Sequence, residues 1–219
     1  VIQPIKEISK KLKNKNNPVR PIFHIDACQA GNLLSLDVKD LGVDLTYRYQ
    51  SKPIGIANAV SLARNFVGKD KFAVILGDNI FEEVKMMQAL LFEDSLNIET
   101  QLFFKKVSDP ERFGVPVIDT KNGNLIKIEE KPKEPKSNMA VVGLYFYSQI
   151  VFEIIEKLKL SARGEYEITD LNNELIKRGH TVYSLIKGDW IDAGTFESLY
   201  KASNTIRERV INANRTTNS

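Results

Sequence analysis

The chain has 219 residues, 42% of them hydrophobic, which suits one large α/β domain or two small ones. Its 31 basic and 28 acidic residues leave a net charge of +3, too balanced to argue for a nucleic-acid partner. One cysteine excludes internal disulfides, two histidines argue against a zinc cluster, and no apolar run approaches the ~20 residues that span a bilayer. The opening VIQPIKEISKK is amphipathic where a signal peptide would have a long apolar core. A soluble cytoplasmic protein is expected, with no membrane partner. The missing initiator Met points to an N-terminus that is not native.

Pro4 sits well in a first helical turn, and Ile5, Ile8 and Leu12 share one face, so a short helix is expected before the break at Asn14–Pro18. Pro21–Ala27 reads as a strand ending in Asp26, and Leu36–Leu41 as a short helix closed by Gly42. Thr46–Tyr49, β-branched and aromatic, reads as a strand. Gly55 opens a helix with Ile56, Ala59, Val60 and Ala63 on one face. Phe72–Phe81 reads FAVILGDNIF, and its apolar run Phe72–Leu76 suits a strand buried on both faces. It stops at Gly77-Asp78-Asn79, which puts a carboxylate at the carboxyl edge of a sheet, where open α/β sheets bind ligands. The plainer alternative is a βα turn, with Asp78 or Asn79 capping the next helix.

Val84, Met87 and Leu91 mark that next helix, and Thr100–Val107 another strand. Asp109-Pro110 is a turn. Gly114–Ile118 and Leu125–Glu129 flank Asn122-Gly123, a strong hairpin signal, and Pro116 places its strand at an edge or bulge. Val141–Tyr147 is a strand with Gly143 inside it, a sign of close approach by a ligand or backbone. Ile150, Val151, Ile154, Ile155 and Leu158 make an amphipathic helix. Another follows the charged SARGEYEITD stretch, with Ile168, Leu171 and Leu175 inward and Gly179 as its cap. Thr181–Ile186 is a strand, and DWIDAGT ends a strand at a second carboxylate, Asp192. Phe196, Leu199, Tyr200 and Ile206 make a final helix, and Asn212–Ser219 reads as a polar, disordered tail.

Asp78 and Asp192 are two strand-ending carboxylates, each near a glycine, and such a pair suits Mg²⁺. Lys131 and Arg163 lie in loop contexts that suit phosphate. Glu130 and the Gly143 backbone suit sugar hydroxyls. Each has an ordinary alternative, as solvated surface charge or turn glycine.

Three blocks near the start, IQPIKEIS, FHIDACQAG and LDVKDLGVDL, resemble the middle of a cysteine desulfurase, a pyridoxal-phosphate enzyme. That resemblance implies Asp26 on the pyridine nitrogen and Gln29 on the ring oxygen. Its Schiff-base lysine should follow LGVDL in a Gly/Ser-His/Ser-Lys loop. The chain reads TYRYQSKPIG there, with Lys52 in another pattern. Pyridoxal chemistry is therefore ranked last, and Asp26, Gln29 and Cys28 are read as ordinary strand-end and core residues.

From about Thr46 to Val210 the order GDN, ERFGV, EEKP, S-N-x-A-x-x-G-L-Y-F-Y, ARGEYEITD and W-x-D-A-G-T closely resembles the sugar-1-phosphate nucleotidyltransferases, nearest to their glucose-1-phosphate thymidylyltransferase branch. The resemblance implies an α/β fold with a mixed, mostly parallel sheet flanked by helices, the Rossmann-like nucleotidyltransferase fold. It implies a nucleotide and a sugar 1-phosphate as substrates, Mg²⁺ as cofactor and a homo-oligomer. By motif, Asp78 and Asp192 match the Mg²⁺ ligands, with Asp78 also at the substrates. Gly55 of P-x-G-I-A matches the backbone against the base. Gly114, Glu130, Lys131 and Gly143 match the sugar-phosphate contacts, and Arg163 a phosphate-binding arginine. Lys131 and Arg163 are the charged groups that the resemblance puts in catalysis.

The family opens with a Gly-rich G-x-G-T-R loop, which does not occur in this sequence. The expected organisation is a desulfurase-like segment 1–45, a nucleotidyltransferase-like domain 46–211 with its nucleotide-binding part truncated or replaced, and a tail 212–219. Such a joint reads as a fusion or chimera. Pro21–Ala27 is expected to lie parallel beside, or close to, the strand at Leu45–Tyr49.

Overall fold

The computed structural model describes residues 22–25, 46–81 and 97–216. Strands β1 (Ile22–Ile25) and β2 (Phe72–Ile75) run parallel, in register from Ile22↔Phe72 to Ile25↔Ile75. The short β3 (Asn79–Phe81) follows, then β4 (Thr100–Lys106), and the hairpin strands β5 (Gly114–Ile118) and β6 (Leu125–Glu130). Next come β7 (Met139–Tyr147), β8 (Thr181–Leu185) and β9 (Trp190–Asp192). The main sheet has the order β1-β2-β7-β4-β8. β7 is antiparallel to both β2 and β4, and β8 is parallel to β4. Four strands thus share a direction and one opposes them, the mixed, mostly parallel sheet that the sequence implies.

Two-residue periodicity divides the core into two layers. Phe72, Val74, Leu102, Phe104, Tyr145 and Tyr147 face helices α1 (Ile56–Ser61), α2 (Arg64–Val67), α3 (Ile150–Ile155) and α4 (Ile168–Lys177). Those helices contribute Ala57, Val60, Val67, Val151, Phe152, Leu171 and Leu175. On the other face Phe103, Val142, Leu144 and Ile186 pack with Phe81 and Trp190. That layer brings β3 and β9 under the sheet, where they pair with each other.

The two strands expected to neighbour each other do not. β1 takes its place in the sheet, but beside β2. Residues 46–50 form no strand, and Tyr47 and Tyr49 are 75% and 87% exposed. β-propensity there has no partner strand among the described residues to act through. Nor does Asn79 cap a helix, because the chain after Gly77-Asp78 turns directly into β3. The hairpin forms as expected, and Pro116 is accommodated in a two-stranded sheet with a register shift at Val117/Ile118.

The final helix α5 spans Phe196–Thr216 and takes in Asn212–Thr216, which composition assigns to a tail. The helices expected around Ile5–Leu12, Leu36–Leu41 and Val84–Leu91 lie outside the described residues, as do Asp26, Cys28 and Gln29. No helix among the described residues is long and apolar enough to cross a membrane.

Candidate functional site

Apolar burial drives β2 into the sheet, and the polar Gly77-Asp78 turn that ends it leaves Asp78 at its carboxyl end. Asn79 pairs with Asp192 across the β3–β9 ladder, so Asp78 and Asp192 become near neighbours although they are far apart in sequence. The Ala193 N–H donates to the Asp78 carbonyl at 2.7 Å, and the Gly194 N–H to Asp192 Oδ1 at 3.0 Å. A Cβ on Gly194 would lie 3.1 Å from Asp192 Oδ1 and 3.3 Å from Asp78 Oδ2. Both carboxylates therefore crowd over one backbone position, and a side chain there would fill the space between them. Hard oxygens converging in this way suit a hard divalent cation that keeps water or phosphate oxygens as its other ligands.

A second group forms where the hairpin returns. Gly114 pairs with Glu130 across β5–β6. Glu130 Oε2 accepts from Thr169 Oγ1 at 2.6 Å, and its Oε1 lies 3.6 Å from Arg163 Nη2. Arg163 is held more closely by Glu167, through Nε at 3.0 Å and Nη2 at 2.8 Å. That fork keeps the guanidinium above its ordinary pKa, against the opposing effect of burial and with help from the charges of Glu167, Glu130 and Glu165. Lys131 follows Glu130 with φ 42°, the one non-glycine among the described residues in the left-handed region. Such a backbone costs about 1–2 kcal/mol, and here the Lys131 N–H is anchored to the Phe113 carbonyl at 3.0 Å. Strain of this kind clusters at ligand sites.

Two side chains join the groups. Tyr145 is buried, and its phenol is pushed well above its ordinary value, first by burial and then by the charges of Glu130 and Asp78. Both carboxylates thus act on one hydroxyl. Phe113, next to Gly114, packs edge-on against Trp190 of β9 at 5.3 Å between centroids.

Gly55 lies against the loop that carries Arg163. With φ 105° and a virtual Cβ 2.4 Å from the Tyr166 carbonyl oxygen, this position admits only glycine. Tyr166 N–H donates to the Ile54 carbonyl, and Ala57 N–H to that of Tyr166. Gln50 Nε2 bonds the Gly55 carbonyl at 3.2 Å and Asn58 Oδ1 at 2.8 Å, bracing the same turn. Gly143 is a glycine for another reason: a Cβ there would meet the Asn79 carboxamide at 2.7 Å.

Of the residues singled out from sequence, the structure brings Asp78 together with Asp192. It brings Gly114 together with Glu130, Lys131 and Arg163, and it sets Gly143 beside the first group and Gly55 beside the second. Sequence reasoning missed Thr169, Tyr145, Trp190 and the amide of Asn79. Trp190, the only tryptophan and two residues before Asp192, was the available signal.

A sequence model of the family described as nucleotidyl transferase matches residues 28–209, and the match begins inside the segment that resembles a desulfurase. A glucose-1-phosphate thymidylyltransferase from Mycolicibacterium smegmatis is 42% identical over 173 residues, which are 78% of this chain and 59% of that protein. A low-salt glycan biosynthesis nucleotidyltransferase, Agl11 of Haloferax volcanii, is 38% identical over 178 residues, 81% of this chain and 49% of that protein. The chain thus spans about half to three fifths of the length of these curated relatives. A crystal structure from Bacillus anthracis, described as a glucose-1-phosphate thymidylyltransferase with sucrose, superposes with a TM-score of 0.74 at 41% identity, over 93% of this chain and 82% of that one. A UDP-glucose pyrophosphorylase solved with UDP-glucose shares the fold, with a TM-score of 0.68 at 24% identity, over 78% of this chain and 71% of that one. With its motifs in family order, its fold shared and the family match covering most of its length, the chain belongs to the nucleotidyl transferase family.

Proposed function

We propose that this chain carries the sugar-phosphate and metal side of a glucose-1-phosphate thymidylyltransferase site. The reaction is dTTP plus glucose 1-phosphate giving dTDP-glucose and pyrophosphate. The observation that carries this reading is the convergence of Asp78 Oδ2 and Asp192 Oδ1 over Gly194. The named activity of several relatives at about 40% identity supports the choice of substrates.

In this reading a sugar-phosphate oxygen attacks the α-phosphorus of dTTP, the bond to the β-phosphate oxygen breaks, and pyrophosphate leaves with its electron pair. Asp78 and Asp192 would hold Mg²⁺, and their fit is that of two hard oxygens around a gap a Cβ would fill. The bound ion would neutralise charge on the phosphates. Arg163 and Lys131 offer cationic donors to the sugar phosphate. Glu130, with one oxygen taking the Thr169 hydroxyl, keeps acceptor capacity for sugar hydroxyls. The Gly55 turn sets backbone against the base. Catalysis of this kind is positioning and charge neutralisation.

A second reading is a sugar-nucleotide-binding chain without useful turnover. The test measures dTDP-glucose binding and pyrophosphate release from dTTP, glucose 1-phosphate and Mg²⁺. Mg²⁺-dependent binding that Asp78→Asn and Asp192→Asn both weaken is expected. Mg²⁺-dependent release of pyrophosphate is expected in the first reading, and binding without release in the second. Binding that ignores both substitutions would sink the site reading.

A further inference from the structure

Asn79 is 4% exposed, and its carboxamide is engaged on both sides. Oδ1 accepts the Gly143 N–H at 2.8 Å and Trp190 Nε1–H at 2.7 Å. Both partners only donate, so the oxygen faces them and the orientation of the amide is fixed. Nδ2 then faces Asp78 and donates to its Oδ1 at 2.8 Å. The other oxygen, Asp78 Oδ2, is the one that lies over Gly194 beside Asp192 Oδ1. The amide thus occupies one oxygen of Asp78 and turns the second toward Asp192.

We propose that Asn79 is a positioning residue for the divalent cation: its carboxamide fixes the rotation of the Asp78 carboxylate so that Oδ2 is presented together with Asp192. The inference rests on the metal reading of that carboxylate pair. The terminal torsion of Asp is intrinsically broad, so a carboxylate without such a bond samples many orientations. The orienting group is itself held by two elements, β7 through Gly143 and β9 through Trp190. Gly143 lacks a side chain where the amide needs the room. Partners that orient metal-binding carboxylates typically contribute roughly 10–100-fold in affinity.

The test uses the full chain with Mn²⁺ as the probe, read by electron paramagnetic resonance of the free ion. Far-ultraviolet circular dichroism and the urea midpoint are the controls for the fold. Asn79→Asp keeps an oxygen for Gly143 and Trp190 but replaces the donor to Asp78 with an acceptor. Added negative charge alone would tighten Mn²⁺ binding, whereas lost positioning weakens it, so the two effects differ in sign. The expected result is at least tenfold weaker binding with the fold controls unchanged, and a similar loss in Asn79→Ala. Trp190→Phe, which removes one of the two bonds that hold the amide, should weaken binding less than Asn79→Asp does. Unchanged or tighter binding in Asn79→Asp, while Asp78→Asn and Asp192→Asn lose the ion, would overturn the positioning role alone. If those two control substitutions have no effect, the metal reading falls and the role of Asn79 with it.

Discussion

The carbonyl of Tyr166 occupies the space where Gly55 would carry a side chain, 2.4 Å from a virtual Cβ. Two backbone hydrogen bonds, from Tyr166 to Ile54 and from Ala57 to Tyr166, lock this contact. The turn ahead of α1 and the loop ahead of α4 therefore behave as one piece. Gly55→Ala meets both a positive φ and a backbone obstacle that cannot rotate away. It is expected to destabilise the fold by about 2–4 kcal/mol and to weaken dTDP-glucose binding together with stability. Urea denaturation followed by Trp190 fluorescence checks the first, and calorimetry the second. A fully stable Gly55→Ala protein would show that the two loops can separate.

Tyr147 and Asn172 form a buried hydrogen bond of 2.7 Å between the sheet and α4. Tyr147→Phe removes the donor and leaves Asn172 Oδ1 dry. A loss of about 1–3 kcal/mol is expected in urea unfolding. Tyr147→Phe with Asn172→Leu should cost less than the sum of the two single changes, because both polar groups then disappear together.

Arg163→Ala should raise the KM for glucose 1-phosphate roughly 10–100-fold, the scale of one charge-assisted contact of about 1.5–3 kcal/mol. Arg163→Lys keeps the charge but loses the fork, and should recover only part of this. Since Glu167 already holds that guanidinium, Glu167→Gln is expected to tighten phosphate binding, which titration with the sugar phosphate would detect. No change in KM for either arginine variant would remove Arg163 from the site.

Glu99 is held below its ordinary pKa, chiefly by its hydrogen bonds to Arg178 at 2.6 and 2.8 Å, against the opposing effect of burial. A depressed carboxylate stabilises the fold above its unfolded value of about 4.3, and that gain is lost as pH falls through the lower folded value. Asp170 has the opposite sign. Burial raises its pKa first, and Glu167, Glu130 and Glu174 raise it further, so its ionisation opposes folding as pH rises past about 3.9. Urea midpoints against pH should show a flatter acid limb for Glu99→Gln, and a gain at neutral pH for Asp170→Asn.

Much of this arrangement was legible in the chain. A continuous apolar run marked β2 because that strand is buried, so burial and propensity agree, and β4 and β7 also read as strands. Asn122-Gly123 marked the hairpin through its local turn chemistry. Thr46–Tyr49 misled because strand propensity needs a neighbour, and these residues have none among those described. The candidate site was legible as motifs, and GDN and W-x-D-A-G-T each showed a carboxylate at a strand end. That Asp78 and Asp192 share one space follows from the β3–β9 pairing, which no local pattern encodes. The amide of Asn79 was hidden for the same reason, since its partners Gly143 and Trp190 come from distant strands.

The bond between Asn79 and Trp190 spans 111 residues of chain. A contact of such sequence separation is costly to close and forms late in folding. A ribosome working at about 5–20 residues per second leaves roughly 5–20 s between the synthesis of Asn79 and that of Trp190. Through that interval the nascent chain carries Asp78 with no second carboxylate opposite it. A chain stopped after β8 would already contain all five strands of the main sheet and still lack Asp192, the second carboxylate of the proposed cation site. Metal binding would therefore report completion of the last strand, and a pulse of Mn²⁺ during refolding would time that event separately from formation of the sheet.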